Sequence, residues 1–144
     1  MRVYSAGRAA SAGSATLPAG SLYAVANRPL WVVEVGVFNT TVTGTEVALR
    51  RLTTAGTQGS ALDELCEDPA ITPAGTVFNT HSGGPTITAG QAKMGILGAA
   101  AGSGIIWTFG GKGLYIPAGT GNGLGLTVPN GTGQVWDFEF TWEE

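Results

Sequence analysis

Side chains that commonly carry catalysis are scarce in this chain. Its 144 residues include one histidine, His81, and one cysteine, Cys66, which excludes a histidine-rich zinc site and an internal disulfide. A Ser–His–Asp arrangement could be drawn with Asp63 or Asp68, but the Gly-x-Ser-x-Gly motif of a nucleophile elbow is absent. His81 stands beside a Gly-Gly pair and is interpreted as a loop histidine. The sequence therefore predicts a protein that is not an enzyme, with no catalytic residues and no cofactor.

Four carboxylates form the densest group of charges in the sequence. Several oxygens around one point are what Ca²⁺ requires, so this group is a conceivable set of calcium ligands. The Asp-x-Asp-x-Asp-Gly pattern of a calcium-binding loop is missing, and no metal site is predicted. We interpret the group as a solvated acidic turn that could also face a basic partner surface. Its members are Asp63, Glu64, Glu67 and Asp68.

The glycine-rich run at residues 119–125 does not fit a phosphate-binding loop. It matches neither Gly-x-Gly-x-x-Gly nor Gly-Lys-Ser/Thr, and no helix follows it. The formal net charge is −3 and the seven basic residues are scattered, which argues against nucleic-acid binding. Residues 94–111 form a segment without charged residues, but its six glycines make it too weakly hydrophobic to span a membrane. No signal peptide is visible either. Taken together, charge and hydrophobicity predict neither nucleic acid nor a membrane as partner.

Composition favours short strands joined by tight turns. The chain has 24 glycines and 18 threonines but only 12% charged residues. Glycine and threonine are poor helix formers, whereas threonine is a good strand former. Residues 30–38 alternate strongly, with Trp31, Val33, Val35 and Val37 predicted on one face.

The C-terminal segment gives a second strong strand prediction. In residues 134–142, four aromatic residues alternate with Val135, Asp137, Glu139 and Thr141, so we expect a half-buried strand inside a sheet. The four tryptophans of the chain could in principle line a sugar site. Three of them alternate with valine or phenylalanine, which favours positions in the core. The aromatic residues of this strand are Trp136, Phe138, Phe140 and Trp142.

Other local signals complete the predicted fold. Residues 1–7 are predicted to form a strand that ends at Gly7, and residues 8–20 a loop or adaptable arm. Residues 61–68 are the only plausible helical turn, because Pro69 follows. The Asn-Gly pairs at 122–123 and 130–131 are typical of hairpins. About 8–10 short strands without a long helix predict one antiparallel β-sandwich or jelly roll over residues 1–144, with residues 1–20 as a possible adaptable strand and arm.

Several segments resemble small structural proteins from the virions of tailed phages that infect actinobacteria. They are residues 1–9 (MRVYSAGRA), 35–41 (VGVFNTT), 47–59 (VALRRLTTAGTQG), 106–119 (IWTFGGKGLYIPAG) and 138–144 (FEFTWEE). The resemblance covers most of the chain. It rests on the general character of these segments and not on a catalytic motif. It implies a capsid decoration (cement) protein or minor head protein with a β-sandwich or jelly-roll fold, often a homotrimer.

The implied role sets the expected partners. Such a protein is made in the host cytoplasm and binds the outside of the capsid shell, where it stabilises contacts between major capsid subunits. A tail or head-fibre component and a carbohydrate-binding module remain the alternatives, because one fold serves all three. We expect the N-terminal segment and the acidic turn to contact partners. The residues concerned are Arg2, Tyr4, Arg8, Asp63, Glu64, Glu67 and Asp68.

Overall fold

The computed structural model describes residues 2–130 and 133–144. In this part of the chain the regular secondary structure consists of eleven strands, with no helix. The strands are β1 (Val3–Ser11), β2 (Gly20–Tyr23), β3 (Leu30–Asn39), β4 (Thr45–Leu52), β5 (Leu65–Cys66), β6 (Thr76–Phe78), β7 (Ile87–Leu97), β8 (Gly104–Thr108), β9 (Leu114–Ile116), β10 (Gly123–Thr127) and β11 (Trp136–Glu143).

The strands form two antiparallel sheets that pack face to face. The six-stranded sheet has the order β5-β1-β11-β3-β8, with β9 also paired to β3, and the five-stranded sheet has the order β6-β2-β10-β4-β7. The main pairs are nested along the chain: β1 with β11, β2 with β10, β3 with β8, and β4 with β7. One long hairpin wound into two sheets gives this order, which is that of a jelly roll. The predicted antiparallel β-sandwich is therefore confirmed.

The aromatic face of β11 forms the centre of the core, as the alternation predicts. All four of its aromatic side chains are buried, and β11 lies inside its sheet between β1 and β3. The opposite sheet approaches very closely at Gly20, where a Cβ atom would run into the ring of Phe138. Close packing between the sheets therefore depends on the missing side chain of Gly20.

A bulge in β3 changes which of its side chains face the core. The ladder with β11 pairs Glu34 with Thr141 but Val32 with Trp142, so Val33 has no counterpart. An extra residue in one strand shifts the alternation, because successive side chains point to opposite sides of a sheet.

The predicted face of β3 is consequently correct at one end of the strand only. Val35 and Val37 are buried in the core, but Trp31 and Val33 are only partly buried. Leu30 and Val32 take the core positions on the far side of the bulge. Trp31 is thus a surface-facing tryptophan, and its predicted place in the core is wrong. Trp136 and Trp142 belong to the core as predicted, and Trp107 joins them there.

β8 and β9 lie end to end along the same side of β3. A turn at residues 110–113 separates them, and both strands pair antiparallel with β3. Gly113 has a φ of 81° and a Cβ there would lie 2.7 Å from the carbonyl oxygen of Val32, so glycine suits both conformation and space. Residues 109–113 form an excursion from the sheet edge that we call the excursion loop.

The predicted helical turn at residues 61–68 is wrong. Leu65 and Cys66 form β5, in which Cys66 pairs with Tyr4 of β1. The N–H of Leu62 donates to the carbonyl of Val77 at 2.8 Å. Pairing with strands on both sheets satisfies backbone groups that a single helical turn would leave open, and tertiary contacts therefore override the local preference.

Two further local predictions are wrong. β1 does not end at Gly7 but continues to Ser11, which pairs with Trp136 after an irregularity in the ladder. β9 and β10, the strands before and after Asn122, lie in different sheets, so this Asn-Gly pair does not close a hairpin. In a jelly roll this turn instead carries the chain from one sheet to the other. The predicted hairpin at 130–131 falls partly outside the described residues, which do not include Gly131.

Candidate interaction surfaces

The outer face of the five-stranded sheet is covered by loops. Tyr23 and Leu52 both pair with Gly123 and share its side of the sheet, away from the core cluster, yet both are buried. Tyr23 donates a hydrogen bond from its hydroxyl to the carbonyl of Thr54 at 3.0 Å. Burial in these surroundings raises the pKa of Tyr23 above its ordinary range. The covering segments are residues 12–19, 53–60 and 79–86.

His81 lies in a loop, as predicted, and it is buried because this loop is part of the cover. Its Nε2 lies 2.8 Å from the Oγ of Ser21, and the two side chains are 1% and 0% exposed. Burial lowers the pKa of His81, which favours the neutral ring. The backbone N–H of His81 also donates to the carbonyl of Pro18 at 3.1 Å.

The Ser21–His81 pair has the spacing of a nucleophile and its base, but its position does not suit catalysis. Such a pair needs a substrate within reach of the hydroxyl oxygen. Here the hydroxyl is sealed between the sheet and the loops, and Asp63 and Asp68 lie on an exposed segment elsewhere. The arrangement can hold the 79–86 loop against the sheet, which is a structural task.

The predicted acidic turn lies along one long side of the sandwich. Asp63, Glu67 and Asp68 are exposed, and Glu64 is half-buried, which raises its pKa. A carboxylate oxygen of Asp68 accepts a hydrogen bond from the N–H of Ala70 at 3.1 Å. Among the described residues, no three metal-binding side chains come together as a cation site. Segment 60–66 crosses here from the edge of one sheet to the edge of the other, and we call this side the acidic side.

The N-terminal residues predicted to contact partners do not all lie on the surface. Arg2 and Arg8 are exposed, but Tyr4 is buried and stacks on Trp142 with ring centroids 5.8 Å apart. Tyr4 therefore belongs to the core, and its side chain is not exposed at the surface where a partner would bind. Arg8 lines a surface groove of about 420 Å³ together with Asp63.

The outer face of the six-stranded sheet has no covering loops among the described residues. Glu139 pairs with Gly36 and is exposed, and Glu34 and Glu143 on the same sheet are half-buried. Asp137 and Glu139 also line the groove beside Arg8. We call this surface the open face, and its charge is mainly negative.

An aromatic pair stands at one end of the open face. Trp31 and Tyr115 pair across β3 and β9 with ring centroids 5.4 Å apart and an interplanar angle of 52°. Tyr115 is 44% exposed, and its carbonyl accepts a hydrogen bond from Arg51 at 2.7 Å. Partly exposed aromatic rings fixed by a sheet are suited to stacking on a ligand.

The long side opposite the acidic side is formed by the unpaired edges of β7 and β8. β7 is a strand of eleven residues, most of them exposed. Three large apolar residues are exposed beside it: Met94 and Ile96 on the outer face of the five-stranded sheet, and Ile106 on the open face, where it pairs with Gly36. Ile96 is 73% exposed. We call it the open edge. Sequence analysis missed it as a surface, although the long stretch without acidic residues around β7 was a usable signal.

Comparisons with known proteins do not place the chain in a family. No family model, no curated protein and no solved structure matches it. The described residues include no apolar helix of membrane-spanning length. The fold and its surfaces are therefore the basis for inferring a function.

Proposed function

We propose that the protein is a capsid decoration protein of a phage, bound to the outside of the shell and stabilising contacts between major capsid subunits. A jelly-roll sandwich is compatible with this role but also with others, so the fold alone does not decide. The resemblance of several segments to virion proteins supports the proposal. The virion surface would be its location, after synthesis in the host cytoplasm.

The observation that carries the proposal is the contrast between the two outer faces. One face is sealed by three loop segments that bury Tyr23 and Leu52. The open face presents ordered strand residues, with Glu34, Glu139 and Glu143 among them. A rigid sheet surface loses little conformational entropy on binding, which suits a protein that must occupy many equivalent sites.

Charge indicates which part of the shell the open face fits. Carboxylates dominate this face, so a capsid surface rich in lysine or arginine would be complementary to it. The net charge of −3 also makes the nucleic acid inside the particle an unsuitable partner. The major capsid protein is therefore the proposed partner, and self-association, for example as a trimer, would multiply weak contacts with the shell.

Binding of the purified protein to undecorated shells tests this proposal. We expect Glu139→Lys to weaken binding at low salt, because it reverses an exposed charge on the open face. Thr53→Lys is the matched control, since Thr53 is exposed on the loop-covered side of the molecule. Equal binding by both variants and the parent would show that the open face is not the docking surface.

A tail or head-fibre component is the nearest alternative, and the number of copies in a particle separates it from a decoration protein. A carbohydrate-binding module is favoured by one observation, the surface pair of Trp31 and Tyr115. Stacking of a sugar on Trp31 would change its fluorescence, and Trp31→Phe would remove that response. A screen of glycans without any change in emission would leave this candidate without support.

A further inference from the structure

Charge is distributed very unevenly along the sequence. All ten acidic residues lie in residues 1–68 or 137–144, whereas residues 69–136 contain none. The same stretch contains both lysines of the chain, Lys93 and Lys112. Such a separation creates an electrostatic asymmetry only if the fold keeps the two groups apart.

The fold places the two lysines on the open edge. Lys93 is exposed on β7, and its Nζ lies 5.8 Å from the ring centroid of Phe109, the first residue of the excursion loop. Lys112 is exposed in the same loop. β7, β8 and the excursion loop carry no acidic residue, so the charges of the open edge itself are positive. The nearest carboxylates are on the paired strands, Glu46 opposite Ile96 and Glu34 opposite Thr108.

The open edge also has unpaired backbone and apolar side chains. β7 pairs only with β4, and its ladder is regular over residues 93–97. This stretch exposes Met94 and Ile96, and Ile106 is exposed on the neighbouring edge strand. Edge strands of this kind are normally blunted or used for association. Lysine is a common blunting residue, but Lys93 lies against the Phe109 ring.

The acidic side lies across the sandwich from the open edge. In the six-stranded sheet β5 is one edge strand and β8 is the other, and in the five-stranded sheet β6 and β7 take the two edges. The acidic side carries the four clustered carboxylates and one large exposed apolar residue, Leu65, which is 71% exposed. Arg8 lies on the adjacent β1 and Arg2 directly before it, so the carboxylates outnumber the cations there.

We propose that the open edge of one copy binds the acidic side of a second copy, so that the chain associates head to tail. Lys93 and Lys112 would face the carboxylates around Asp63 and Glu67. Leu65 would meet Ile106, since both side chains are on the outer side of the six-stranded sheet. A symmetric contact between two open edges would bring the lysines of both copies together, and a contact between two acidic sides would do the same for carboxylates. Charge therefore selects the heterologous arrangement, which closes into a ring when the rotation permits.

This arrangement does not depend on binding to a capsid shell, and the purified full chain tests it. The mass would be measured by sedimentation equilibrium over a range of concentrations at low and at high salt. We expect a small closed oligomer whose dissociation constant rises with salt. A monomer at every concentration would overturn the proposal.

Charge reversals identify the two surfaces. We expect Lys93→Glu with Lys112→Glu to weaken association by about tenfold or more, and Asp63→Lys with Glu67→Lys to do the same. All four substitutions together should restore it. Thr53→Glu with Thr120→Glu changes exposed residues away from both surfaces and should have little effect.

The acidic-side variant discriminates between the two geometries. In a symmetric contact through the open edge, Asp63→Lys with Glu67→Lys would leave association unchanged, and that result would overturn the head-to-tail proposal. Failure of the fourfold variant to associate, while its circular dichroism spectrum and thermal unfolding remain like those of the parent, would overturn it as well.

Discussion

Ser21 and His81 are joined by a hydrogen bond of 2.8 Å between Oγ and Nε2, although sixty positions separate them in the sequence. The bond ties β2 to the 79–86 loop beneath the cover of the five-stranded sheet. Both side chains are buried, and the ring of His81 also lies 5.9 Å from that of Tyr23. Because burial lowers the pKa of His81, this contact links the stability of the fold to pH.

We expect acid to destabilise the protein partly through His81. The unfolded chain binds a proton near its ordinary pKa of about 6.5, whereas the folded chain resists protonation. The unfolded state therefore binds more protons below that pH, so the free energy of unfolding falls as the pH drops from about 6.5 towards the lower pKa of the folded state. Denaturant unfolding at several pH values measures this. His81→Gln should flatten the slope in that window, and an identical slope would contradict the assignment.

Gly20 should not tolerate a methyl group. A Cβ at this position would run into the ring of Phe138, so Gly20→Ala should lower the free energy of unfolding by about 1–3 kcal/mol. Gly90 is the matched control, because a Cβ there meets nothing within 4 Å. Gly90→Ala should leave stability unchanged or raise it by about 0.4–1 kcal/mol. Equal effects of the two substitutions in urea unfolding would speak against the close approach of the sheets.

Glu144 holds a segment before β6 in place. Its side-chain carboxylate accepts hydrogen bonds from the N–H groups of Ala74 and Gly75 at 2.9 and 2.8 Å and from Nε1 of Trp142 at 3.1 Å. Glu144→Ala should lower the free energy of unfolding by about 1–3 kcal/mol, because it leaves these donors without an acceptor.

Arg28 provides the comparison for Glu144. It makes a salt bridge of 3.3 Å with the same carboxylate, but its own side chain is 54% exposed. Exposed ion pairs contribute about 0–1 kcal/mol, so Arg28→Ala should cost less than Glu144→Ala. The reverse order in denaturant unfolding would show that the salt bridge matters more than the backbone contacts.

Trp31 should account for most of the tryptophan emission that is open to a collisional quencher. The bulge at Val33 places it outside the core, whereas Trp136 and Trp142 are fully buried. Trp31→Phe should therefore reduce quenching by acrylamide and cost little stability. Unchanged quenching in this variant would indicate that Trp31 is packed in the interior.

Local patterns predict the strands of this protein better than their connections. The alternation in β11 identifies both its buried face and its position inside a sheet, since four aromatic residues need a partner surface. The bulge at Val33 leaves no local signal, because it depends on how β11 lies against β3. The local sequence around Cys66 favours a helical turn, but the segment forms a strand because its backbone pairs with β1.

The candidate surfaces follow the same division. The acidic cluster is visible in the sequence as a group of neighbours, and the structure leaves three of its four members exposed. Tyr4 is different, because its place in the core is set by pairing with Cys66 and by stacking on Trp142. Burial of His81 likewise arises from the 79–86 loop folding over β2, which no short pattern around the residue indicates.

The copy number of this chain in purified particles from its source, relative to the major capsid protein, tests the proposed role most directly. A decoration protein must be present in numbers comparable to the capsid subunits, and we expect this result from quantitative mass spectrometry of intact particles. A few copies per particle would indicate a tail or fibre component instead. Absence from the particles would contradict the virion role and leave the aromatic pair of Trp31 and Tyr115 as the first site to examine.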